Sequence, residues 1–217
     1  MKRSMVRLID TPLYQGENQF VDLLDAVINI QEWILRYYML LPKHQEKNNG
    51  IVLSPPFQPY SWNKETRLHT DSISEIFTNA PLTPFGMPVT WEDEIKSYNY
   101  FSDKPKWRYL YINDLPEVLR KPEVEQGDIT KKRKNPNLKP VSRLLKAQMY
   151  ANKTYIGILE DMIFDEKTWK IEFFIVKTSK GKAEQLFAVD SCWGTAYHRG
   201  DIILDIPRDK IQNLLIY

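Results

Sequence analysis

Two stretches of the chain alternate with a period of two. Trp33, Leu35, Tyr37 and Met39 interleave with Ile34, Arg36, Tyr38 and Leu40, and Trp169, Ile171, Phe173 and Ile175 interleave with Lys170, Glu172, Phe174 and Val176. In each stretch one face is apolar or aromatic throughout and the other is mixed, the pattern of a strand with one side in a core. Aromatic and β-branched residues dominate both, and each follows a turn-like tetrapeptide, Asn29-Ile30-Gln31-Glu32 and Asp165-Glu166-Lys167-Thr168, which argues against helices. Trp33 and Trp169 head the two most apolar strands; core packing is expected of both, in preference to stacking on a ligand.

The two stretches belong to a longer repeat. At an offset of 136 residues, Arg7 to Leu40 lies on Arg143 to Val176 without a gap, with six identities: Arg7/Arg143, Leu8/Leu144, Tyr14/Tyr150, Leu23/Leu159, Asp25/Asp161 and Trp33/Trp169. That is about three times what background frequencies give. Leu53 then matches Val189 and Phe57 matches Trp193; with the offset reduced to 135, Trp62 meets Tyr197, Leu68 meets Ile203 and Ile76 meets Ile211. Each copy ends in a short amphipathic segment, with Ile73, Ile76 and Phe77 behind Asp71 or Ser72, and Ile211, Leu214 and Leu215 behind Pro207, both expected as helices. Several short strands separated by turns predict an all-β protein of two small barrels, closed because closure removes exposed strand edges. The expected domains are 1–81 and 141–217, joined by a partly helical linker over 82–140. Within that linker Thr90 is placed to cap a helix near 91–101 carrying Trp91, Ile95 and Tyr98 on one face. Trp107, Tyr109, Leu110 and Tyr111 suggest a further strand, and Pro116 to Pro140 an exposed connection.

Composition narrows the function. Hydrophobic residues make up 42% of the 217 and charged residues 27%, as in a folded globular protein. With 30 basic against 28 acidic residues there is no global charge to draw the chain onto nucleic acid or an anionic membrane. Cys192 is the sole cysteine, so neither an intrachain disulfide nor a closed cysteine-based zinc site can form, and a reducing, cytoplasmic setting is expected. The N-terminal residues lack the apolar run of a signal peptide, and no run reaches the ~20 residues of a membrane-spanning helix, so membrane insertion is not expected.

Motifs for chemistry are sparse. His44, His69 and His198 lack metal-ligand spacing, and the glycines are scattered singly. Asp25 and Asp161 recur in apolar strands, where a carboxylate serves either as a general base or, the favoured reading, in a bulge or a hydrogen bond to a neighbouring turn. Cys192 reads as a buried small residue in preference to a reactive thiol. Lys131, Lys132, Arg133 and Lys134 form the sharpest charge run, able to contact an anion or nucleic acid, although a solvated linker is the simpler account. No catalytic residue, metal ligand or cofactor site is assigned.

Ile158 to Trp169, a glycine-led strand with Glu160-Asp161, an acidic turn and then tryptophan, resembles the hairpin of the PRC-barrel family, named for the cytoplasmic domain of the photosynthetic reaction centre H subunit. Val52 to Phe57, Trp62, Asn79-Ala80-Pro81 and Trp91 to Phe101 are similar to the second half of the first domain in tandem two-domain bacterial members. The resemblance covers residues 4–101 and 141–217. The glycine expected before the second strand is present as Gly157 and replaced by Val21; the Arg-Tyr expected after tryptophan is present as Arg36-Tyr37 and replaced by Glu172-Phe173. The resemblance implies two PRC-barrel-like domains and a non-enzymatic binding or scaffold module acting through protein–protein interaction. The expected partner is another protein, with a homodimer also open. The alternatives are an RNA- or ribosome-associated processing or assembly factor using the basic linker and, third, an enzyme with a cleft between the barrels.

Overall fold

Both alternating runs are strands. The computed structural model describes residues 1–9, 11–42, 50–56, 60–62, 68–70, 74–103, 134–180, 183–206 and 215–216. The first half contains β1 (Lys2–Ser4), α1 (Met5–Leu8), β2 (Pro12–Gln15), β3 (Asn18–Asn29), β4 (Ile34–Pro42), β5 (Ile51–Ser54), β6 (Tyr60–Trp62), β7 (Leu68–Thr70), α2 (Ser74–Thr78), β8 (Leu82–Thr83) and α3 (Trp91–Ser102). The second contains β9 (Leu138–Pro140), α4 (Val141–Leu144), β10 (Gln148–Ala151), β11 (Thr154–Asp165), β12 (Ile171–Lys180), β13 (Ala183–Asp190), a 3-10 turn (Ser191–Trp193), β14 (Gly194–His198), β15 (Asp201–Leu204) and β16 (Leu215–Ile216). The protein is therefore mostly β, with few helices and two sheets.

The sheets have the same strand order. One runs β6-β7-β2-β3-β4-β5-β8 with β9 also on β3; the other runs β14-β15-β10-β11-β12-β13-β16 with β1 also on β11. The long strand β11 shows how this works. Its first residues, Thr154 to Ile158, pair with β10, and its last, Ile163 to Asp165, pair with β1. Irregularities in register between Leu159 and Asp161 and between Ile163 and Phe164 bend it against β12. Gly157 has φ +148°, and a Cβ there would run into the Lys177 carbonyl oxygen and the Val176 side chain, so the crossing requires glycine.

Several expectations change in detail. Neither sheet closes by pairing among the described residues: each is an open path whose end strands, two to five residues long, pair only inward. Trp33 and Trp169 precede their strands, in turns with φ +50° and +56°. The strand β4 is buried along both faces, including Arg36. On the second alternating run, Phe174 is wholly buried whereas Phe173 is only half-buried. Leu68 lies opposite Leu13 and Ile202 opposite Met149, so Ile202, and not Ile203, holds the place in its sheet that Leu68 holds in the other. Leu215 lies in β16 and not in a helix, whereas α2 is a helix with Phe77 buried. Asn135 and Leu138 are buried, so the end of the expected exposed connection is part of the core. Phe57, Ile73, Trp107 to Tyr111, Pro116 to Arg133, Ile211 and Leu214 lie outside the described residues.

The chain divides into two compact units, one of Met1–Leu8, Ile28–Leu35 and Lys139–Tyr217, the other of Ile9–Val27 and Arg36–Leu138. The first unit thus includes the N-terminal strand and the β3–β4 turn. Its core includes Met5, Leu8, Met149, Met162, Phe164 and Phe174. In the second unit, Val27, Tyr37, Met39, Ile51, Leu53, Val89 and Leu138 pack into one cluster.

Candidate functional site

Asp161 sits at the β11 irregularity and faces the N-terminal segment. Its carboxylate accepts from Ser4 Oγ at 2.5 Å, from the backbone N–H of Val6 at 2.9 Å and from that of Met162 at 2.7 Å. It therefore serves the orphan donors at the start of α1. Asp25, with which it aligns at an offset of 136 residues, is buried and accepts from the backbone N–H of Ala26 at 2.7 Å.

Trp33 is held in the first unit. Its indole N–H donates to the Gly194 carbonyl at 3.3 Å, its ring meets Phe174 edge-on at 4.7 Å, and a Cβ on Gly194 would come within 2.6 Å of the indole nitrogen. Gly194 is thus the floor of the tryptophan seat. The half-buried Trp169 contributes backbone: its carbonyl accepts from Leu35 N–H at 2.8 Å, and the Trp33 carbonyl accepts from Ile171 N–H at 2.7 Å.

A buried polar node lies in the second unit. Thr90 and Asp93 form a reciprocal capping box that starts α3, and the helix turns Glu94, Ser97 and Phe101 inward, leaving Trp91, Ile95 and Tyr98 half-buried. Glu94 accepts from Tyr37 Oη at 3.0 Å and Asn135 Nδ2 at 2.6 Å, and lies 3.7 Å from Arg36 Nε. Burial pushes its carboxyl above the usual range, opposed by Asn135, Arg36 and Tyr37. Ser97 Oγ donates to the Leu53 carbonyl at 2.5 Å beside the edge of β5. Each of these polar groups has an internal partner, so the node docks α3 onto the β4–β5 sheet.

Cys192 is exposed, in the 3-10 turn capped by Asp190. Desolvation, with the adjacent Asp190 carboxylate, pushes its thiol up to about 11, so little of it is thiolate at neutral pH. Of the basic run only Lys134 is described; it is exposed and bridges to Thr90. Lys131, Lys132 and Arg133 lie outside the described residues, as does His44.

The outer face of the second sheet is different in kind. Ala196 lies opposite Ile203, Ile203 beside Tyr150, and Tyr150 opposite Tyr155, so one row crosses β14, β15, β10 and β11. Residues directly opposite share a face. Tyr155 is 53% exposed and Ile203 36%, and the tyrosine rings meet edge-on at 5.7 Å. Tyr150 Oη donates to Gln148 Oε1, which fixes its ring along the strand. The matching row of the first sheet is Ser61, His69, Tyr14 and Gln19, three polar side chains and a tyrosine stacked on the imidazole at 5.6 Å. Equal backbone positions thus carry apolar groups in one sheet and mostly polar ones in the other.

Sequence reading paired Tyr14 with Tyr150 but missed Tyr155, Ile203, Glu94 and Asn135. The row exists only once the irregular register between Met149 and Tyr150 sets Tyr155 opposite Tyr150; an isolated Tyr155 carries no such signal. No protein-family model matches the chain, and no curated protein matches its sequence significantly.

Proposed function

We propose that this chain is a non-enzymatic binding module that docks a protein partner on the outer face of its second sheet. The observation that carries this reading is the exposed row Ala196, Ile203, Tyr150 and Tyr155, set against its polar counterpart in the first sheet. Rigid tyrosines on a strand offer large contact area at little entropy cost, the chemistry of interface anchors. The carboxylates that recur in the strands support a role other than catalysis, since Asp161 is occupied in capping α1.

The two sheets read as duplicates of one PRC-barrel-like unit. Their common strand order, and the tryptophans in the same left-handed conformation at the same point of each hairpin, support that kinship. In this reading one copy keeps the row for binding and the other has lost it.

The test replaces Tyr155 and Ile203 by lysine and compares affinity purification from the native cell. Both side chains are exposed, so stability should change by less than ~0.5 kcal/mol each. The expected result is loss of a partner protein that the wild-type chain retains. Unchanged retention, or retention of RNA alone in a salt-sensitive manner, would count against the proposal.

A further inference from the structure

Each compact unit is completed by a segment from the other half of the sequence. In the first unit, β1 pairs with the end of β11, Arg3 Nε donates to Glu166 Oε2 at 2.9 Å, Lys2 Nζ lies 2.8 Å from Glu172 Oε2, and Asp161 caps α1. A basic strand thus enters an acidic seat across sequence separations of 155 to 170 residues. The second unit receives Lys134 to Leu138: Asn135 N–H donates to the Val89 carbonyl at 3.0 Å, and its amide reaches Glu94 at 2.6 Å.

The contact at the hairpin turn is also self-complementary. Ile34 bridges to Lys170, 136 residues on, and the flanking bonds, Leu35 N–H to Trp169 carbonyl and Ile171 N–H to Trp33 carbonyl, interchange under the same shift. A contact in which i meets j and j meets i is what identical subunits make about a twofold axis.

We infer that the halves are exchangeable between chains: a second copy of this protein can seat its Met1–Leu8 and Ile28–Leu35 on the sheet of Lys139–Tyr217, and the exchange is mutual. The connection between the halves in sequence is residues 104–133, and covalent geometry limits any stretch of that length to at most ~100 Å. It needs to join the two ends of α3, ~18 Å apart for twelve residues, since Lys134 pairs beside Thr90. Seating within one chain and between chains therefore makes the same contacts, and the concentration of chains decides between them.

The test uses Lys2→Cys and Glu172→Cys in separate full-length chains, each with Cys192→Ser, and a short bismaleimide. Co-refolding at near-millimolar concentration should give a covalent pair of unlike chains, at least tenfold more than after refolding at micromolar concentration. The chain carrying both cysteines should crosslink within itself, which reports that the seat has formed. Intrachain crosslinking without any interchain product at the higher concentration overturns the inference. Removing residues 104–130 leaves a connection too short for the gap and should give a dimer at micromolar concentration by light scattering; a folded monomer also overturns it.

Discussion

Trp33 holds φ at +50° in a region where the Cβ of an L-residue is crowded, and Trp169 does the same at +56°. The conformation ends the turn and sends the chain into the next strand; for Trp33 the indole, packed on Phe174 and over Gly194, keeps it there. Two effects therefore act at this position, and two substitutions separate them. Trp33→Ala removes the ring, at ~3–5 kcal/mol, and keeps the crowded Cβ. Trp33→Gly removes both, and should be the more stable of the two by ~1 kcal/mol, measured by urea unfolding. The reverse order would mean that the turn rearranges once the ring is gone. Tryptophan at this point was visible in the sequence as a repeat, but nothing in its neighbours signals a left-handed backbone, which glycine or asparagine usually marks.

The helix α3 was legible from Thr90 at its cap, and the structure adds Asp93 as the other half of a capping box. Its buried face was not. Periodicity favours Trp91, Ile95 and Tyr98, whereas Glu94 and Ser97 turn inward to Arg36, Tyr37, Asn135 and the Leu53 carbonyl, and Phe101 to Phe77, all from distant segments. Raising the Glu94 carboxyl above its ordinary 4.5 means that the folded protein holds this proton more tightly than the unfolded chain. The stabilisation from that proton is complete below pH 4.5 and is lost as pH rises through the higher folded value, with a slope of at most ~1.4 kcal/mol per pH unit. Glu94→Gln abolishes this contribution. The difference in unfolding free energy between wild type and variant should therefore shift against the wild type as pH rises from 4.5, and then level off. A difference independent of pH across that window would show that the carboxyl titrates normally.

At the scale of the molecule, the alternation of apolar and mixed positions revealed the long strands because that pattern is local, whereas the parallel pairings of β2 with β7 and of β10 with β15 left no mark in the sequence. What pattern could not reveal is that Met1–Leu8 and Ile28–Leu35 belong to the same compact unit as Lys139–Tyr217. The N-terminal segment is held there by Asp161, Glu166 and Glu172, which receive Ser4, Arg3 and Lys2, and these pairings join residues too far apart in sequence for any local pattern to connect them. The N-terminal segment buries Met5 and Leu8 completely, worth ~1.5–3 kcal/mol each, and covers the β11 edge from Ile163 to Asp165. A chain lacking residues 1–8 should consequently be less stable by several kcal/mol, and its loss should be local before it is global. Hydrogen exchange of peptides spanning Ile163 to Asp165 should quicken by more than tenfold, because those backbone groups become an open sheet edge. Peptides from β5 and α3, in the other unit, should exchange as before. Equal quickening in both would mean that the two units unfold as one, and unchanged exchange at Ile163 to Asp165 would mean that β1 contributes nothing to holding β11.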